Sequence, residues 1–397
     1  MNRMTISSFL DKGIPVTVCL FFAFSVISIA GTQISLGLLL LLSILKAVAD
    51  RRWIFESTPL DRAFLFFVLA YFLSTVFSLD PAASLGHFKN LLLILALYLV
   101  AFNLQTRNQV RMAADTLVVT AAVMAFLGIL MTDIGGGKRV MALQSTTMTW
   151  GALSAIFTLI TGSLFLFGER SKKRWLYLGA FLIQFIGMIF SYVRGAWLGF
   201  IAGLMVLSLL RSRKLFFAGL LLILLVVVLA PPMVQERILS ITDLSVGSTQ
   251  VRFTQWRNAV EIFKDHPLTG VGWIDLLEVH RNYAPPGADL NYQAYQIGHF
   301  HNNFVMFLVC FGVVGLAAAV YLVYRLFRTL VRVFRAIPKE CQILSALTSG
   351  VIAVQAAFWV NGLFDWTFGD AEPVTLMWAV TGLGLAAGRT FNARGPN

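Results

Sequence analysis

Charge is scarce in this chain. Asp, Glu, Lys and Arg make up only 13% of its 397 residues, about half the share of a soluble domain, while 58% are hydrophobic. A soluble fold is excluded. Acidic residues are the rarer sign, 19 against 31 basic ones. The positive excess sits in short segments between apolar runs, as in multi-span membrane proteins, so it does not point to nucleic acid. Cysteine is nearly absent: Cys19 and Cys310 lie inside apolar runs and Cys341 lies beside the basic segment 325–339. No pair is placed to staple an extracytoplasmic loop, and all three read as small buried hydrophobes. Most apolar runs also lack an ionisable group near the centre. A transporter would place substrate and coupling-ion groups there, often in repeated halves, and no repeat relates the halves of this chain.

What is abundant is membrane-length apolar sequence. A helix crosses a bilayer with about 20 apolar residues. Runs near 14–30, 33–49, 63–79, 88–104, 112–131, 148–168, 175–191, 196–210, 215–231, 302–323, 343–364 and 373–388 give about twelve such spans. With the N-terminus in the cytoplasm, the inside segments carry Arg51, Arg52, Arg62, Arg107, Arg111, Arg170, Lys172, Lys173, Arg174, Arg211, Arg213 and Lys214. They also carry Arg325, Arg328, Arg332, Arg335, Lys339, Arg389 and Arg394; with Arg3, Lys12 and Lys46 this makes 22 of the 31 basic residues. That asymmetry predicts an even span count with both termini cytoplasmic. Ser28-Ile29-Ala30 resembles a signal-peptidase site, but a second run begins at once, so an uncleaved signal anchor is expected. The expected fold is an all-α integral membrane protein. Spans one to nine occupy 1–231, a large loop outside the cytoplasm occupies 232–301, and spans ten to twelve with a cytoplasmic C-terminus occupy 302–397.

The loop 232–301 opens at Pro231-Pro232, holds four of the five histidines and is rich in Trp and Tyr, so it is expected to fold against the membrane. Val251, Trp256, Ala259, Val260 and Phe263 recur at helical spacing, predicting an amphipathic helix over about 249–264 that ends at the turn His266-Pro267-Leu268-Thr269-Gly270. Elsewhere Gly195, Gly199 and Gly203, and Gly384 and Gly388, repeat at every fourth position and read as close-packing surfaces between spans.

Candidate chemistry gathers at the outer ends of the spans. Arg194, in Ser191-Tyr192-Val193-Arg194-Gly195-Ala196-Trp197, occupies a very short outer connection, against the charge trend. It either snorkels to the interface or offers a forked guanidinium to a lipid-linked phosphate. Arg252 adds a cation at the start of the loop helix, and Lys138 and Arg139 in Gly135-Gly136-Gly137-Lys138-Arg139 could meet the same head group; this glycine run is not a P-loop, because Thr132 and Arg139 break that pattern. His299 and His301 precede span ten in His299-Phe300-His301-Asn302-Asn303-Phe304. An H-x-H pair without a third ligand does not make a zinc site, so a general base is the better reading for His301. Arg257, Lys264, Asp365, Asp370 and Glu372 read as solvated faces, the acids with a lesser chance of orienting a base or binding sugar hydroxyls.

These pieces, in this order, resemble the O-antigen ligase and polymerase superfamily. The resemblance rests on 191–199, on Arg252-Phe253-Thr254-Gln255-Trp256 running to His266-Pro267-Leu268-Thr269-Gly270-Val271-Gly272, and on His301-Asn302-Asn303-Phe304 leading to Phe311-Gly312-Val313-Val314-Gly315-Leu316. It implies a glycosyltransferase of the bacterial inner membrane working on the periplasmic side without cofactor or metal. Its length and lack of a C-terminal extension look most like the O-antigen ligase, which implies undecaprenyl diphosphate-linked O-antigen as donor and lipid A core oligosaccharide as acceptor. His301 would be the base. Arg194 and Arg252 would grip the diphosphate, with Lys138, Arg139 and His299 as further substrate contacts. A polymerase extending the lipid-linked glycan, a transporter of such a glycan, and a purely structural membrane component are the rival readings.

Overall fold

The computed structural model describes residues 3–51, 53, 55–245 and 247–392. Arg52 and Arg394, two of the basic residues assigned to the inner side, lie outside them, as does the side chain of Arg3. The helices are α1 (Arg3–Ile27), α2 (Ile29–Asp50), α3 (Asp61–Val76), α4 (Pro81–Gly86), α5 (Leu95–Asn103), α6 (Arg107–Met131), α7 (Thr147–Phe167) and α8 (Lys173–Ile189). They continue with α9 (Arg194–Arg211), α10 (Arg213–Leu229), α11 (Pro232–Leu239), α12 (Gly247–Asp265), α13 (Leu277–Asn282), α14 (Asn303–Ala336), α15 (Gln342–Asn361) and α16 (Ala371–Asn392). A 3₁₀ stretch, His87–Ile94, joins α4 to α5. Boundaries follow local chemistry: Thr106 and Gln109 close a capping box on α6, Thr146 caps α7, and Asp80 caps α4 with Pro81 in its first turn.

Every one of the twelve apolar runs coincides with a helix, but they are not equally fit to cross a bilayer. Eight helical segments among the described residues are long and apolar enough, or nine if α10 and α11, bent by 119° at Ala230-Pro231, form one broken span. The helices α3, α8 and α10 have only 16–17 residues. At 1.5 Å per residue that is about 24–26 Å, short of the roughly 30 Å hydrocarbon core. The chain is a multi-pass helical membrane protein.

At the centre, α15 packs between α7 and α9. The small-residue row explains how close they come: a Cβ on Gly199 would meet the Ala357 carbonyl oxygen at 2.6 Å, and one on Gly203 the Ala353 carbonyl oxygen at 2.9 Å. On the other side of α15, Ser163 Oγ of α7 donates to the Ala346 carbonyl at 2.7 Å. Of the cysteines only Cys310 is buried; Cys19, on a face of α1 the bundle covers only in part, and Cys341, at the start of α15 in a surface connection, are half-buried, and all three are free.

The loop between α10 and α14 is built around α12, which runs two residues further towards its N-terminus and one further towards its C-terminus than the periodicity predicts. Its buried face matches the expected one only in part. Val251, Gln255, Asn258, Ala259 and Ile262 are buried, while Val260 is 49% exposed. The reason is that the loop folds back over the helix and asks it for hydrogen bonds. Gln255 Nε2 donates to the His299 carbonyl at 3.1 Å, Asn258 Nδ2 to the His280 carbonyl at 3.0 Å, and Trp256 Nε1 to the Phe300 carbonyl at 2.9 Å.

The turn after α12 is wedged into a membrane helix. Gly312, with φ 63°, breaks α14. The N–H groups of Val313 and Val314, which would bond to Val309 and Cys310 in an unbroken helix, donate instead to Pro267 and Leu268 at 2.9 and 3.4 Å. In exchange the Val309 and Cys310 carbonyls accept from Val271 and Gly272, both at 2.9 Å. All four of these backbone groups are therefore paired, where leaving them bare in apolar surroundings would cost several kcal/mol. Glycine is required on both sides: a Cβ on Gly270 (φ 67°) would meet the Val309 carbonyl oxygen at 2.4 Å, and one on Gly312 the Leu268 carbonyl oxygen at 2.2 Å.

Candidate functional site

Four connections gather at one end of the bundle: 132–146, 190–193, 230–302 and 362–370. The tight turn 190–193 leaves Arg194 as the first residue of α9. Tyr192 there has φ 55°, a left-handed backbone costing about 1–3 kcal/mol in a non-glycine residue. Neighbours hold it in place: the Tyr192 carbonyl accepts from Arg237 Nε at 3.1 Å, and Val140 N–H donates to the Phe190 carbonyl at 2.9 Å. Arg194 reaches across to the loop, bonding the Ser240 carbonyl, Ser248 Oγ at 3.0 Å and Thr249 Oγ1 at 3.3 Å.

The second strained residue is His301, with φ 46°. The two asparagines after it explain how it is held. Asn302 Oδ1 caps α14 by accepting from Phe304 and Val305 N–H, while its Nδ2 donates to the Leu363 carbonyl at 3.0 Å. Asn303 Nδ2 donates to Thr367 Oγ1, and its Oδ1 accepts from Phe368 N–H, both at 3.0 Å. Together they lash the start of α14 to the connection 362–370, which brings Asp365 Oδ1 to 3.2 Å from His301 Nδ1. His299 Nδ1 accepts from the His301 N–H at 3.4 Å, and the two rings stand 4.3 Å apart. Burial first, then His301, pushes the His299 imidazole down to about 4, so it is neutral near pH 7 and acts as support for His301.

Between these elements lies a pocket of about 190 Å³ whose polar walls include Arg194, Arg237, Arg252, Asn361 and Asp365, with Trp256 and Phe364 beside them. Three guanidiniums face one carboxylate. Burial lowers the pKa of Arg252, Asp365 raises it and Arg194 lowers it again. Arg237 is pushed down by burial and then by Arg139, Arg194 and Arg252. Like charges held this close favour an anion among them. Two buried polar atoms at the pocket have no partner among the described residues, Arg252 Nε and Asn361 Oδ1. Gly195 makes room for the latter, since a Cβ there would lie 2.4 Å from Asn361 Oδ1.

The six residues singled out in the sequence separate. Arg194 and Arg252 line the pocket, and His301 stands one hydrogen bond behind it through Asp365. His299 backs His301. Arg139 is exposed at the rim, where its charge reaches Arg237, whereas Lys138 is exposed and is not among the pocket walls. The three acids expected on a solvated face are a correction. Asp365 is 16% exposed at the side chain, Glu372 is buried, and Asp370 accepts from Thr149 Oγ1 at 2.7 Å, because the connection 362–370 folds inward over the ends of α7 and α14. Arg257 is exposed and Lys264 pairs with Glu261 at 2.8 Å, as expected of a solvated face. Sequence reasoning missed Arg237. Its only signal is a cation in a short helix that starts at Pro231-Pro232 just after an apolar run.

No curated protein matches the chain. Residues 179–320 match the family model described as O-antigen ligase. That stretch holds Arg194, Arg237, Arg252, His299 and His301 as well as the turn wedged into α14, and the match supports placing the chain in the O-antigen ligase/polymerase superfamily.

Proposed function

We propose that the chain is a glycosyltransferase that moves O-antigen polysaccharide from undecaprenyl diphosphate to the lipid A core oligosaccharide, at the periplasmic face of the inner membrane. The observation that carries this reading is the three-arginine pocket whose single carboxylate, Asp365, bonds His301. An acceptor hydroxyl attacks the anomeric carbon of the donor; the bond from that carbon to the diphosphate breaks, and its electron pair leaves with undecaprenyl diphosphate. The hydroxyl proton goes to His301 Nε2, since a carboxylate at Asp365 accepts from Nδ1–H and leaves Nε2 free. Arg194, Arg237 and Arg252 stabilise the charge growing on the departing diphosphate. One displacement inverts the anomeric centre.

Two features support a lipid-linked donor. Leu198 and Ile241, on the pocket wall, also line an apolar cleft of about 90 Å³ among α8, α9, α10 and α11, which suits a polyprenyl tail. Lys46, Arg107, Arg111, Lys173, Arg174, Arg211 and Arg389 lie at the other end of the bundle, which fits a cytoplasmic face there. The test is the lipopolysaccharide profile of a strain lacking the protein. Loss of all polymer from lipid A, with polymer retained on the carrier, is the expected result. Lipopolysaccharide capped with a single repeat unit would select a polymerase and overturn the acceptor assignment.

A further inference from the structure

At the end of the bundle opposite the arginine pocket, a second and larger cavity of about 740 Å³ opens between the α7–α8 connection, the end of α9 and the α14–α15 connection. Its charged walls are all basic: Arg170, Arg174, Arg211, Arg335 and Lys339. Among the described residues none of these five pairs with a carboxylate; the nearby Glu169 is taken by Arg107 and Arg111. Arg211 is the anchor. Its guanidinium lies 4.9 Å from the ring centres of both Phe167 and Phe334, and its Nε donates to Ser349 Oγ at 3.1 Å. That leaves Nη2 buried with no partner among the described residues. A fixed guanidinium with one unpartnered nitrogen and four cations around it is short of one thing, an anion with several oxygens.

The cavity is not purely polar, and its shape identifies the source of that anion. Leu166 on its wall also lines an apolar groove of about 160 Å³ formed by α7, α8, α9 and α10, and Phe165 of that groove lies 5.1 Å beneath the Arg174 guanidinium. Leu207, one helical turn before Arg211, lines the groove as well. Basic cavity and apolar groove thus meet end to end at a membrane-surface level, the arrangement for an amphiphile whose phosphate is captured while a chain lies along the helices. We propose that this cavity binds the phosphodiester head group of an anionic phospholipid from the leaflet at this end, with one acyl chain in the α7–α10 groove.

The test uses the purified full-length protein in neutral detergent, titrated with dioleoyl phosphatidylglycerol, dioleoyl phosphatidylcholine or sodium phosphate while its melting is followed. Phosphatidylglycerol should raise the melting temperature saturably, and the other two should not. The double variant R335Q/K339Q, in which both side chains are exposed, should keep the fold and weaken the phosphatidylglycerol half-saturation about tenfold or more. Arg211→Lys, which keeps the charge but loses the fork between the rings, should weaken it as well. Equal effects of the two lipids, or wild-type response in both variants, would overturn the site. Saturable stabilisation by phosphate alone at the same concentrations would show a free-anion site and overturn the lipid.

Discussion

His301 and Asp365, 64 residues apart in sequence, meet at 3.2 Å through Nδ1 and Oδ1. Asn302 and Asn303 tie the two segments together, so the pairing does not depend on either side chain alone. If His301 is the base, His301→Ala should cut transfer by about 10²–10⁴, and Asp365→Asn should cut it too by freeing the wrong tautomer. The two losses should not add in the double variant. Turnover by purified enzyme with lipid-linked donor decides this; near-normal rates in His301→Ala would remove the histidine from the chemistry.

The arginine pocket allows charge and geometry to be tested apart. Lysine keeps the charge at Arg194, Arg237 or Arg252 but loses the paired donors. Each Arg→Lys change should slow transfer, by up to about 10²–10³ if one donor to the departing diphosphate is lost, and each Arg→Ala change more so. Donor affinity should fall while acceptor affinity holds. Full activity in all three lysine variants would place the phosphate elsewhere. Arg237 is the most informative of the three, since its bond to the Tyr192 carbonyl ties it to the strained turn as well as to the pocket.

Stability should peak at an intermediate pH, for reasons of opposite sign. His280, buried with both ring nitrogens unpartnered among the described residues, is pushed down by burial to about 4, as is His299. Unfolding therefore takes up protons between about pH 6.5 and 4, and stability falls as pH drops through that window. Asp370 is raised by burial and by Glu372 to about 8, so unfolding releases its proton between about pH 4 and 8, and stability falls as pH rises there. Melting temperatures across pH 4–9 check this. His280→Phe should flatten the acid limb and Asp370→Asn the alkaline one; unchanged limbs would contradict the burial argument.

Gly312→Ala and Gly270→Ala should each destabilise the protein by more than about 1 kcal/mol, since both positions combine a left-handed φ with a carbonyl where the Cβ would go. Gly247→Ala, with open space around it, should be close to neutral and serves as the control. Thermal melts of the three variants in one detergent make the comparison.

The twelve apolar runs were legible as helical stretches because long apolar sequence in a bilayer must pair its own backbone groups, though only eight or nine segments among the described residues are long and apolar enough to cross, and Arg194 stood out because it breaks the charge trend. Which helices are short, and where α14 breaks, was not legible. Gly312 looks in sequence like any small packing residue, and only the Pro267 and Leu268 carbonyls reveal why it must unwind. The pairing of Asp365 with His301 was hidden for a similar reason: nothing within either segment encodes a contact made by the asparagines beside one of them. The face of α12 was only partly legible, because hydrophobic spacing does not mark Gln255 and Asn258 as buried, whereas the loop needs their amides inside.

The exchange of hydrogen bonds between 267–272 and α14 also sets an order of assembly. The turn leaves the ribosome some forty residues before the strand of helix that must receive it, so it has to wait with Pro267 and Leu268 unpaired until 309–314 arrives. The arginine pocket is completed later still, when Asn361, Phe364 and Asp365 join its wall, so a stalled or truncated chain holding every arginine would still lack the carboxylate that faces them.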